Sequence, residues 1–62
     1  MTYRQAIEII HAQHPTATEH YEPGFGWRIL SDSDGSENST PLGPYRPDRE
    51  QAMIVAAKNL SR

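Results

Sequence analysis

The stretch Pro41-Leu42-Gly43-Pro44-Tyr45-Arg46-Pro47-Asp48-Arg49-Glu50-Gln51-Ala52 reads as a short strand that ends on an aromatic, passes a proline and enters a helix through an Asp-x-x-Gln cap. Asp48 offers a side-chain oxygen to the orphan amides of the first helical turn, and Gln51 follows three residues later. Such a junction returns a C-terminal helix onto the sheet before it, so it decides the architecture. The spacing predicts a helix from about Arg49 to Leu60, with Ala52, Met53, Ala56, Ala57 and Leu60 on a broad apolar face. Glu50, Lys58 and Ser61 define the wet face, with Glu50 in the first turn and Lys58 in the last, as the helix dipole prefers. Leu42 to Tyr45 reads as a third strand. Pro41 and Pro44 each remove a ladder donor, which assigns it to a sheet edge.

Upstream, Phe25 to Leu30 is the strongest strand signal in the chain. Alternation puts Phe25, Trp27 and Ile29 on one face and Gly26, Arg28 and Leu30 on the other. The Pro23-Gly24 turn separates it from an alternating segment, Thr16 to Glu22. A first helix is expected from about Tyr3 to His14. Thr2 and Gln5 have capping-box spacing, Tyr3, Ala6, Ile7 and Ile10 form one stripe, and Pro15 stops the helix. Ser31 to Thr40 has no apolar side chain and reads as a flexible polar loop.

The order is α-β-β-β-α, an α+β fold in one small domain spanning 1–62. Its simplest packing is an antiparallel three-stranded meander with both helices on one face. The expected core is Tyr3, Ile7 and Ile10, then Phe25, Trp27 and Ile29, then Met53, Ala56 and Leu60.

A chain of 62 residues buries only ~60% of the surface its unfolded form exposes, so it has little core to spare. It has no cysteine, which excludes disulfides and thiolate zinc sites and suggests a reducing, cytoplasmic setting. The net charge of −2 disfavours general attraction to nucleic acid or anionic lipid. No apolar run approaches the ~20 residues that span a bilayer, so no membrane partner is expected.

Chemistry is scarce. His11 and His14 are spaced to share an ion, with His20 beside Glu19 and Glu22, but four converging ligands are missing. His14 also falls on the Tyr3/Ile7/Ile10 stripe, where it closes the core, and a histidine in the last helical turn suits the carbonyls there. Asp32-Ser33-Asp34-Gly35-Ser36-Glu37 has the letters of a calcium loop, but its glycine lies at the fourth position and not the sixth. No nucleophile elbow, phosphate-binding glycine loop or paired-carboxylate cleft is present. The chain therefore reads as a non-enzyme without cofactor or small-molecule substrate.

The Gly43-x-Tyr45…Glu50-x-Ala52 junction loosely resembles the strand-to-helix junction of small DNA-reading domains with three strands and one helix, such as the N-terminal domains of phage integrases. That resemblance implies contact with DNA through the sheet, over about ten residues. This chain departs from it in carrying an additional N-terminal helix and in lacking basic strands. The reading of the whole is a small protein-binding module, of the kind common on bacterial and phage genomes, whose partner is another protein or itself. The alternative is nucleic-acid binding through Arg28, Arg46 and Arg49. Candidate binding residues are those arginines with Leu30, on the uncovered sheet face, and Ile54, which projects among polar neighbours on the second helix.

Overall fold

The computed structural model describes residues 1–32 and 39–61. Helix α1 spans Tyr3–Gln13 and opens with the capping box: Gln5 N–H donates to Thr2 Oγ1 at 3.1 Å, and Thr2 N–H donates to Gln5 Oε1 at 2.8 Å. It closes where His14 N–H donates to the Ile10 carbonyl at 2.7 Å, one residue before Pro15. Strands β1 (Thr18–Glu22) and β2 (Gly26–Leu30) form an antiparallel hairpin with Glu19 opposite Ile29 and Tyr21 opposite Trp27. Helix α2 spans Arg49–Leu60, and Asp48 Oδ1 accepts the Glu50 N–H at 3.0 Å. The two helices and the hairpin pack together as an α+β unit in which α2 touches both α1 and β2.

The core is Ala6, Ile10, Ile29, Ala52, Met53, Ala56 and Ala57, with Tyr3, Ile7, Trp27, Leu42 and Leu60 partly buried around it. Small residues on α2 let it approach its neighbours closely. A Cβ added to Gly43 would stand 3.3 Å from the Ala56 Cα.

Three expectations need correction. The three-stranded meander is not formed, because the sheet has two strands. The segment after Thr40 meets β2 only through isolated bridges, Leu30 with Pro41 and Trp27 with Arg46. Between them Arg28 and Ile29 face Leu42, Gly43, Pro44 and Tyr45, so two extra residues bulge out of register. Pro44 falls inside that bulge and has no amide to donate, so the pairing is interrupted there and resumes at Arg46.

Phe25 is not in the core but 66% exposed. Its N–H donates to the Glu22 carbonyl at 3.0 Å, closing a turn with Pro23 second and Gly24 third at φ 87°. Phe25 therefore belongs to the turn, and strand alternation begins one residue later. Ile54 is not on a wet face but partly buried against the core, because α2 lies between α1 and the hairpin and is covered on more than one side.

The 31–40 loop is hydrogen-bonded at its base: Ser31 N–H donates to the Thr40 carbonyl at 2.9 Å, and Ser39 Oγ donates to the Asp32 carbonyl at 3.1 Å. The rest of the flexible-loop expectation, and the calcium-loop comparison with it, falls on 33–38, outside the described residues.

Candidate functional site

The hairpin separates the polar and aromatic side chains into two groups. On the face turned to the helices stand Glu19, Tyr21, Trp27 and Ile29. On the other stand Thr18, His20, Glu22, Arg28 and Leu30.

Glu19 is the centre of the helix-side group. Its Oε2 accepts from the Tyr3 hydroxyl at 2.7 Å and lies 3.5 Å from Arg49 Nε. The Arg49 guanidinium in turn lies 5.8 Å from the Tyr3 ring centroid and 6.0 Å from that of Trp27. Tyr21 packs on Trp27 with centroids 5.2 Å apart. This group ties both helix N-termini to β1.

Burial, then the hydrogen bond to Glu19 and the negative charge it brings, hold the Tyr3 hydroxyl above its ordinary ionisation near pH 10. The folded state thus favours the neutral phenol. Its contribution is complete below about pH 10 and is lost as pH rises beyond that. Tyr3→Phe is expected to cost about 1.5–3 kcal/mol at neutral pH, the worth of a hydrogen bond to a charged group, and toward the low end for a bond that is part-buried. The gap between the two proteins should close in denaturant titrations run above about pH 10. A gap that stays constant there would show that the hydroxyl is not what Tyr3 contributes.

The open-face group is built on Tyr45, which the bulge delivers onto this side. Arg28 lies over the Tyr45 ring at 4.6 Å from its centroid, within cation–π range, and the exposed Phe25 ring packs on Tyr45 at 5.3 Å. Arg28 Nε is buried and lacks a hydrogen-bond partner among the described residues. Leu30, half-buried, extends the same face, and His20 Nε2 lies 3.0 Å from Glu22 Oε2 beside it.

The candidate arginines are thus divided. Arg28 is on the open face, Arg49 is on the helix side against Glu19 and Trp27, and the Trp27–Arg46 bridge assigns Arg46 to the Trp27 side. Ile54 joins neither group. Phe25 and Tyr45 were not among the candidates. The signal that could have found Phe25 was the Pro23-Gly24 pair, which takes the next residue out of the strand.

The histidines do not converge. His11 is exposed in the last turn of α1, His14 caps that helix, and His20 is on β1. Among the described residues no group of three His, Asp or Glu side chains is arranged to hold a metal, and no helix is long and apolar enough to cross a membrane. A depression of about 520 Å³ runs along the outer side of α1, lined by Met1, Gln5, Glu8, Ile9 and Ala12. It is larger than the chain's length suggests, but Met1 and one side of α1 form its wall and leave it open to solvent. Compared with known proteins, the chain matches no family model, no curated protein and no solved structure at a significant level.

Proposed function

We propose that the protein is a small interaction module that binds a partner protein through the open face of its hairpin. The observation that carries this reading is the stacked platform of Phe25, Tyr45 and Arg28, with Phe25 66% exposed and its ring held at 5.3 Å from Tyr45. Aromatic residues and arginine dominate the energetics of protein interfaces because they cover large area at low entropic cost. Here they are already stacked, so little freedom is lost on binding. The fitting partner offers an apolar side chain to cover Phe25 and an acceptor for Arg28. Leu30 lengthens the apolar contact. The absence of cysteine supports a reducing compartment for this encounter.

The division of the arginines between two faces, with Arg49 already beside Glu19, favours this reading over phosphate binding by Arg28, Arg46 and Arg49 together. The test is affinity capture from extracts of the source cells, treated with nuclease, with Phe25→Asp and Leu30→Asp run beside the wild type. A captured protein should be lost with both variants, by at least about 2 kcal/mol, some 30-fold in Kd. The reading fails if both variants retain the same proteins. It also fails if the captured material is nucleic acid that moderate salt releases and that Arg46→Ala or Arg49→Ala abolishes.

A further inference from the structure

We infer that the outer edge of β1 pairs with the same edge of a second copy of this chain, strand to strand, about a twofold axis through His20. This goes beyond the open-face reading, because the backbone edge and not the Phe25–Tyr45 platform makes the contact.

The backbone directions follow from the hydrogen bonds on the far side of β2. Trp27 N–H donates to the Arg46 carbonyl and Arg46 N–H to the Trp27 carbonyl, both at 2.7 Å, and the Ile29 carbonyl accepts from Leu42 N–H at 2.8 Å. Trp27 and Ile29 therefore turn their backbone groups away from β1, so alternation aims those of Gly26, Arg28 and Leu30 toward it. Their opposites, Glu22, His20 and Thr18, point inward. Glu19 and Tyr21 are left pointing their N–H and C=O groups outward from an edge on which no residue is buried.

The two sides of the sheet are guarded differently. Beside β2 run Pro41, Pro44, Pro47 and the bulge, the devices by which proteins blunt an edge against further pairing. The five-residue β1, Thr18-Glu19-His20-Tyr21-Glu22, has no proline, lysine or bulge and an unbroken register with β2. Its guards are the charges of Glu19 and Glu22, which a partner must meet with uncharged residues.

The occupant is a second copy because the two outward residues are symmetric about His20. An antiparallel copy centred there brings Glu19 opposite the second copy's Tyr21, and Tyr21 opposite its Glu19. Each such pair exchanges N–H···O bonds in both directions. His20 then faces His20 with Cα atoms ~4.5 Å apart, and Thr18 faces Glu22. No carboxylate meets a carboxylate. Centring on Glu19 would oppose two carboxylates, and centring on Tyr21 would set Glu19 against Pro23, which has no donor. One register satisfies both the backbone and the charges.

Sedimentation equilibrium across a wide concentration range, with amide exchange followed by NMR, tests this. The wild type should show a monomer–dimer equilibrium, with exchange of the Glu19 and Tyr21 amides slowing as concentration rises. His20→Lys sets two ammonium groups face to face on the axis and should abolish the dimer while the circular dichroism stays native. Tyr21→Pro removes an outward donor and should abolish it too, with Tyr21→Ala, which loses the same packing on Trp27 but keeps the N–H, as its control. His20→Val should strengthen it. Phe25→Asp should leave the dimer intact, so loss of the open-face partner and loss of the dimer are read separately. A monomer at every concentration overturns the inference, as does a folded His20→Lys protein that associates like the wild type.

Discussion

Replacing Gly26 with alanine is expected to lower the midpoint of thermal unfolding by more than about 10 °C, at the ~4–8 °C per kcal/mol usual for a domain this size. Gly26 opens β2 at φ 106°, a conformation side chains rarely adopt, and occupying it costs about 1–3 kcal/mol. Its environment adds to that cost, since a Cβ built there meets the carbonyl oxygen of Arg46. That oxygen accepts the Trp27 N–H at 2.7 Å, so moving it breaks the bridge that holds the start of the α2 approach against the hairpin. Gly24, at φ 87°, is the control. A Cβ there meets nothing, so Gly24→Ala should carry only a conformational cost of about 1–2 kcal/mol. Melting curves followed by circular dichroism compare the two. Equal losses would mean that the close approach of Arg46 to Gly26 has no energetic weight.

The contrast shows where the fold could be read from the chain and where it could not. Both helices were legible because their signals are local. Thr2 and Gln5 meet within one turn, Asp48 caps the residue two ahead, and α2 runs from Arg49 to Leu60 as its spacing predicts. The hairpin was legible for the same reason, its turn lying at Pro23-Gly24. What failed depended on contacts distant in sequence. Residues 41–46 meet β2 only at Pro41 and Arg46, with Gly43 close against Ala56 of α2 between them, and a packing of that kind leaves no local signal. Ile54 looked exposed because a single helix face was assumed, whereas α2 has neighbours on two sides. The platform was half visible. Arg28 and the open face were assigned from alternation, but the pairing of Arg28 with Tyr45 spans the whole polar loop and leaves no periodic trace. The three arginines do not make one patch, since Arg46 bridges Trp27 and Arg49 lies beside it, while Trp27 and Arg28 are consecutive strand positions that face opposite ways.

Ile29→Ala should be the most damaging truncation in the sheet, while Phe25→Ala, on the same face by simple alternation, should be nearly silent. Ile29 is fully buried and, with Ile10, among the largest side chains wholly removed from solvent. Truncating such a residue loses its transfer energy and leaves a cavity, about 2–5 kcal/mol in all. Stability of ~0.05–0.15 kcal/mol per residue gives a 62-residue chain roughly 3–9 kcal/mol, so most of the margin is at stake. Ile29→Val, which keeps the β-branch, should lose about 0.5–1.5 kcal/mol and so calibrate the site. Phe25 has only its stacking on Tyr45 to lose, about 0.5–1.5 kcal/mol for an aromatic pair and toward the low end for a ring so exposed. Urea titrations of the three variants give the comparison directly. If Phe25→Ala costs as much as Ile29→Ala, the ring is part of the core in solution and the open-face platform does not exist. If the predicted order holds, Phe25 can be changed freely without unfolding the domain, and any loss of binding in Phe25→Asp reports on the surface itself.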